Sequence, residues 1–328
     1  MNAASRAGGM GEVADVAGPY EVAPFGTELA RLASMDPSIV AVSADMSRYS
    51  DLQPFLAAHP DRYFAAGMAE QSAISMSAGM AKVGKTVFCA TYAAFLIRRA
   101  LDFIAVACAH SGLDVKVFAG APGLVNPYGA THQSLEDLVV MRGIPDVTVI
   151  DPCDAVELRQ VVQAAATTPG TFYVRNLRGK VPVILDEDTY RFRVGEARVL
   201  REGTDVAVVS TGYLTGRALL AADRARGEGI SVTVVHVPTI KPLDKDTIRE
   251  ACAGARRVVT LENGLRTGGL GSAVTEVLHD AGHGQRVMRV GLGDRFHPCG
   301  SQDYNELRFG LSQEAVDRVV LENTWAFT

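Results

Sequence analysis

Paired cysteines are missing from this chain. Its five thiols, Cys89, Cys108, Cys153, Cys252 and Cys299, are scattered over 328 residues, odd in number and without a CxxC spacing. That excludes a disulfide framework or a zinc finger and fits free thiols in a reducing cytoplasm. Cys89 and Cys108 fall in apolar segments and read as packing residues rather than nucleophiles. A basic excess is missing too, because a net charge of −5 gives no surface from which to argue nucleic-acid binding. Long apolar runs are missing: Lys82 and Lys85 interrupt the best candidate, so no membrane span is expected. Residues 1–18 are Ala/Gly-rich and lack the apolar stretch of a secretory signal, which reads as a flexible tail. Internal repeats and low-complexity runs beyond that tail are absent.

What remains is an ordinary globular balance, 48% apolar and 21% charged, over a length sufficient for two domains. Short apolar runs alternate with helical patterns. Strands are expected at 39–43, 87–90, 115–119, 147–150 and 172–174, with helices at 71–83, 96–110, 134–142 and 155–166. Continuous apolar strands with helical crossovers indicate a parallel sheet covered on both faces. A stretch rich in Gly, Pro and acids follows at 178–193, after which the alternation restarts. The expected organisation is a tail at 1–18, a first α/β domain at 19–180, a linker at 181–194 and a second α/β domain at 195–328.

Three segments of the first domain carry chemistry. Gly67-Met68-Ala69-Glu70-Gln71 puts Glu70 at a strand-to-helix junction, where a carboxylate is well placed to hydrogen-bond a buried heterocycle nitrogen. The plain alternative is an acid favoured by the helix dipole. Thr91-Tyr92-Ala93-Ala94-Phe95 follows a strand directly, and Gly129-Ala130-Thr131-His132-Gln133 is expected to open a helix after a Gly/Pro-rich loop. All three lie after strands, where α/β sheets bind ligands. A lone histidine such as His132 is ordinarily structural, and Tyr92 and Phe95 could be core residues. The order of the three together is the specific signal.

With these motifs the chain resembles the C-terminal half of the thiamine-diphosphate-dependent transketolases, and also the deoxyxylulose-phosphate synthases. The similarity runs from about Val22 to Val320 and includes Leu261-Glu262-Asn263, Gly268-Gly269-Leu270-Gly271 and Asp294-Arg295-Phe296. It implies a pyrimidine-binding domain followed by a transketolase C-terminal domain. By position, Glu70 would hydrogen-bond the aminopyrimidine ring of the cofactor and so promote carbanion formation. Tyr92 and Phe95 would pack around that ring, with Asp45 at the cofactor's edge. His132 would contact the donor substrate, alongside Ser47 in the loop after the first strand. Arg175 or Arg178 could meet a substrate phosphate through a planar guanidinium, surface arginine being the alternative.

The chain departs from the family pattern at three positions. Tyr128 stands where an aspartate is usual, Gly120 replaces a histidine, and Arg98 occupies the position of a third pocket aromatic. The first two changes fall on donor contacts and place the usual ketose phosphate donor in question. The Gly-Asp-Gly stretch that holds diphosphate and a divalent metal in the family is also missing; Gly291-Leu292-Gly293-Asp294 has the wrong order. The resemblance therefore implies a split enzyme, cytoplasmic, whose partner subunit carries the diphosphate-binding domain and Mg2+ in an α2β2 assembly. Apolar surface over 92–101 and 67–81 is expected to be buried against that partner. The expected reaction is two-carbon ketol transfer from a sugar or sugar phosphate. Alternatives are a 2-oxoacid dehydrogenase β-type subunit, a deoxyxylulose-phosphate synthase-like enzyme, or a non-catalytic regulatory paralogue.

Overall fold

The apolar runs become strands buried on both faces. In the computed structural model, which describes residues 18–322, the first half of the chain supplies β1 (Tyr20–Val22), β2 (Ile39–Ser43), β3 (Tyr63–Ala65), β4 (Thr86–Tyr92), β5 (Val115–Gly120), β6 (Val147–Ile150), β7 (Thr171–Asn176) and β8 (Lys180–Pro182). Between them run α1 (Pro24–Met35), α2 (Gln53–Ala58), α3 (Glu70–Lys82), α4 (Ala93–Arg99), α5 (Leu101–Phe103), α6 (Asp137–Gly143) and α7 (Ala155–Thr167). The second half supplies β9 (Arg198–Arg201), β10 (Val206–Ser210), β11 (Val232–His236), β12 (Thr239–Lys241), β13 (Arg257–Leu265) and β14 (Val287–Leu292). Its helices are α8 (Leu214–Gly227), α9 (Lys245–Ala253), α10 (Leu270–Asp280), α11 (Gln302–Phe309) and α12 (Gln313–Glu322). Nearly all of the tail expected at 1–18 lies outside the described residues. None of the described helices is long and apolar enough to cross a membrane.

Two mainly parallel sheets organise these elements. The first has seven strands in the order β12-β6-β7-β5-β4-β2-β3, the second five in the order β14-β13-β10-β11-β9. Within these two sheets, among the described residues, only β12 and β9, each at an edge, run antiparallel to their neighbours; β1 and β8 form a separate antiparallel pair. Although β12 comes from the second half of the chain, it pairs with β6 of the first sheet. Backbone hydrogen bonds therefore join the two halves, as between the Asp151 N–H and the Pro238 carbonyl at 2.8 Å.

Side chains extend this seam. Arg175 is fully buried; its Nε donates to Asp137 at 2.9 Å, and its Nη1 donates to the Asn263 carbonyl at 2.9 Å and Asp151 at 3.3 Å. Glu157 on α7 meets His236 Nε2 at 2.8 Å, while Thr215 Oγ1 lies 2.9 Å from His236 Nδ1. Burial alone would raise the Glu157 carboxyl, but His236, the Tyr190 hydroxyl and the Cys153 N–H together hold it below its ordinary value. Glu262 accepts the Leu270 and Gly271 N–H groups at 2.8 and 2.9 Å, capping α10. Buried polar groups of this kind are tolerated because each finds a partner.

Three local expectations need correction. The helix expected over 96–110 breaks: α4 stops at Arg99, and after α5 residues 104–109 widen into a π-turn closed by the His110 N–H on the Ala105 carbonyl. The helix expected to follow His132 starts only at Asp137, because Ser134 pairs instead with Pro122 and Gly123. The apolar surface expected over 92–101 is largely internal. Tyr92, Ala93, Ala94, Leu96 and Ile97 are buried under the first sheet's own packing, leaving Arg98 and Arg99 outward. Over 67–81 the exposed residues are small or polar, with Met68 the large apolar exception at 83% exposed.

Candidate active site

Parallel sheets gather functional groups at the carboxyl ends of their strands. Here β2, β4, β5 and β7 end side by side, and the chain leaving each contributes to one region. After β3 the chain turns at Gly67, and α3 begins on Glu70 itself. Ala73, Ile74, Ser77 and Ala78 form the buried face of α3, and the small Ala73, Ser77 and Ala78 let the helix lie close to the sheet. That close approach buries Glu70 to 3% exposure. Its two carboxylate oxygens lie 3.0 and 3.1 Å from Nη1 of Arg99, whose side chain is half exposed. Arg99 also lies over the Phe95 ring at 4.2 Å, a cation–π contact that holds the guanidinium in place.

From Phe95 a continuous group of rings follows. The His132 ring centroid lies 5.2 Å from Phe95, 6.3 Å from Tyr92 and 5.3 Å from Tyr128, all edge-on. Edge-to-face packing is the favoured geometry for such rings. Tyr92 is buried, while Tyr128 stays 42% exposed at the mouth. Partial burial, with the Arg99 charge nearby, holds the His132 imidazole below its ordinary value, which favours the neutral ring. Thr131 Oγ1 lies 2.8 Å from His132 Nδ1, so Nε2 is the nitrogen left for a ligand.

The loop carrying His132 is held from two sides. Arg98 donates to the Ala130 and Gln133 carbonyls at 2.6 and 2.9 Å and to Glu136 at 2.7 Å. It therefore serves here as a clamp on the loop. From the second half of the chain, Asn263 accepts the Leu124 N–H at 3.0 Å and donates to the Pro122 carbonyl at 3.2 Å. Gly123 is required there: it has a φ of 61°, and a Cβ would fall 2.3 Å from Asn263 Nδ2.

Asp45 and Ser47 lie in the loop after β2. Asp45 is exposed with a left-handed φ of 59°, and Ser47 accepts from Gln53 at 2.8 Å. Among the described residues, neither hydrogen-bonds to the ring group. The same loop reaches the site through Met46, whose sulfur is 3.5 Å from Thr91 Oγ1, and through Tyr49. Arg178 lies over Tyr49 at 5.7 Å, and its charge reaches Tyr92. Its Nε is buried with no hydrogen-bond partner among the described residues. Gly120 leaves room: a Cβ would sit in ordinary contact, 3.6 Å from both Tyr92 and the Tyr49 carbonyl.

Arg175 corrects the expectation that it faces a ligand or solvent, since the seam engages its whole guanidinium. Sequence reasoning did not single out Arg99 or Tyr49. Arg99 follows Arg98 in the sequence, and no spacing marks which of the two turns toward Glu70.

Among the described residues, Cys153, Glu157 and His236 offer donor atoms close enough for a metal. They fit one poorly. The Cys153 thiol is pushed well above its usual range by burial and neighbouring carboxylates, and Glu157 and His236 already engage each other.

Comparison with known proteins places the chain in a family. Residues 23–183 match the family described as "Transketolase, pyrimidine binding domain", and residues 195–316 match "Transketolase, C-terminal domain". An uncharacterized transketolase family protein of Sinorhizobium fredii is 46% identical over 305 residues, covering 92% of this chain and 88% of that protein. A 6-deoxy-6-sulfo-D-fructose transketolase subunit of a Clostridium species is 37% identical, covering 90% of this chain and 92% of its own length. Among solved structures, a split-gene transketolase described as an inactive β4 tetramer superposes with a TM-score of 0.83 at 35% identity, covering 92% and 96% of the two chains.

Proposed function

Since this chain belongs to the transketolase family, we propose that it is the C-terminal subunit of a split transketolase dependent on thiamine diphosphate. It transfers a two-carbon ketol unit from a ketose or ketose phosphate to an aldehyde. The observation that carries this reading is Glu70, a buried carboxylate linked through Arg99 to the Phe95–His132 ring group. These residues fit the pyrimidine side of the cofactor: an acceptor for a ring-nitrogen proton, with Tyr92 and Phe95 beside it. When bound, the cofactor would supply the nucleophilic carbon that ketol transfer requires. Glu70 holds the proton on the ring nitrogen, and Arg99 keeps its carboxylate oriented. His132, kept neutral, offers Nε2 to the donor's oxygens. Arg178, with a buried Nε free to donate, meets the anionic end of the substrate.

Diphosphate and Mg2+ are assigned to a partner, an N-terminal subunit in an α2β2 assembly. Three observations support that assignment. The sequence has no Gly-Asp-Gly stretch, a relative of similar extent is described as a subunit, and the solved neighbour is a β4 tetramer described as inactive. Where the family carries a histidine, Gly120 leaves space beside Tyr92, while Tyr128 adds a ring at the mouth. Both changes favour a donor other than the usual ketose phosphate. A cytoplasmic setting fits the unpaired thiols.

The test is turnover by the chain with its co-purified partner, thiamine diphosphate and Mg2+. Ketol transfer to an aldehyde is expected. Release of CO2 from a 2-oxo acid would instead indicate a dehydrogenase-type subunit.

A further inference from the structure

Away from the candidate site, a cavity of about 640 Å3 opens between the segment joining the two halves and the edge strand β9. Its volume lies in the range of small-molecule pockets. Arg191, Arg193, Arg198 and Arg201 all line it, against a single lining carboxylate, Asp186. Two of the arginines form its fixed rim. Arg191 donates to the Glu187 and Tyr190 carbonyls at 2.7 Å each, and Arg198 donates to the Arg191 carbonyl at 2.9 Å and pairs with Glu196 at 3.0 Å.

The other two pair only loosely with carboxylates, although Arg201 also donates to the Leu200 carbonyl at 2.9 Å. Arg193 lies 3.5 Å from Glu196 with its side chain 72% exposed, and Arg201 lies 3.8 Å from Asp223 at 50% exposed. Long, exposed pairs contribute little, so a stronger anion can displace them. The acids beside these arginines, Glu187, Glu196 and Asp223, lie outside the lining itself, where four arginines face Asp186 alone. Leu185, Leu200 and Leu219 give it an apolar floor too broad for an inorganic ion alone.

We propose that this groove binds a phosphorylated organic anion of nucleotide size. Its phosphates would meet Arg193, Arg198 and Arg201 through charge-assisted hydrogen bonds, and its body would cover Leu200 and Leu219. Occupancy has a structural consequence, because Tyr190 in the cavity wall donates to Glu157, which in turn meets His236 of the second sheet. A ligand there braces the seam between the two halves. The site is independent of the reading given for the candidate active site.

The test uses the full chain with ADP, adenosine and inorganic phosphate as probes, read by titration calorimetry and thermal unfolding. ADP is expected to bind and raise the melting temperature, while adenosine does neither. The double variant Arg193→Gln/Arg201→Gln should weaken ADP binding by about tenfold or more with an unchanged melting temperature in the absence of ligand. If that variant folds poorly, Arg193→Gln alone at the most exposed position should still weaken ADP binding. No ADP binding at about 1 mM, a weak affinity even for a single site, would overturn the proposal. So would wild-type affinity in the variants, or loss of binding on Arg178→Gln instead.

Discussion

The seam between the two halves and the mouth around Glu70 are built from the same residue types but are finished differently. At the seam each principal charge is enclosed and answered: Arg175 by Asp137, Asp151 and Asn263, Glu157 by His236, Tyr190 and the Cys153 N–H. At the mouth the answer is one-sided. Glu70 is equally buried, but its partner Arg99 is half exposed, Met68 beside it is bare, and Arg178 keeps a buried N–H with no partner among the described residues. A closed polar network holds shape, whereas one left open on a single side is poised for a ligand or a second chain.

That contrast can be broken from either side. Glu157→Ala leaves His236 and Tyr190 facing an apolar void and should cost about 3–5 kcal/mol of stability, read by chemical denaturation. A loss no larger than a surface substitution would show that the seam is not a closed network. Glu70→Ala should leave folding and assembly intact while lowering turnover by about 100- to 1,000-fold. Retained turnover would remove Glu70 from the chemistry.

Glu262 sharpens the comparison through pH. Burial pushes its carboxyl up to about 7 from an ordinary 4.5, while the Leu270 and Gly271 N–H groups pull it down. An acid whose folded value exceeds its unfolded one stabilises fully below the unfolded value and loses that contribution as pH rises through the folded one. Stability should therefore fall between pH 4.5 and 7, and Glu262→Gln should flatten this fall by on the order of 2 kcal/mol. An unchanged pH profile would contradict it.

The smallest effect belongs to His132→Ala, about tenfold on kcat/KM for the donor with cofactor binding preserved. In the native chain, the acid-side loss of donor turnover should come below the ordinary imidazole value of 6.5, because the ring is held neutral. Equal loss of cofactor affinity would show that His132 serves the ring pocket instead.

Much of this contrast was open to sequence reading on one side only. Strands such as Ile39–Ser43 and Val147–Ile150 are continuous apolar runs, and apolar runs announce buried strands. Glu70 was readable because a junction acid before a small-residue helix is a local pattern. The seam was not readable, since Arg175, Asp137, Asp151 and Glu157 meet through long-range topology that no window of sequence contains. The crossing of β12 into the first sheet rests on three residues, too few for a periodic signal. Helix α1 was not foreseen, and its N-cap Ala23 offers no side-chain cap to mark its start. The break after Arg99 was hidden because Ala, Val and Cys over 104–109 suit a helix as well as the wider turn they adopt.

The most direct test of the central claim, that this chain supplies one side of a shared cofactor site, is native mass determination of the chain purified from its own cells. The expected result is a stoichiometric complex with a second subunit carrying Gly-Asp-Gly, together with thiamine diphosphate and a divalent metal. A bare assembly of this chain alone, without cofactor, would contradict the account and favour a regulatory or non-catalytic role.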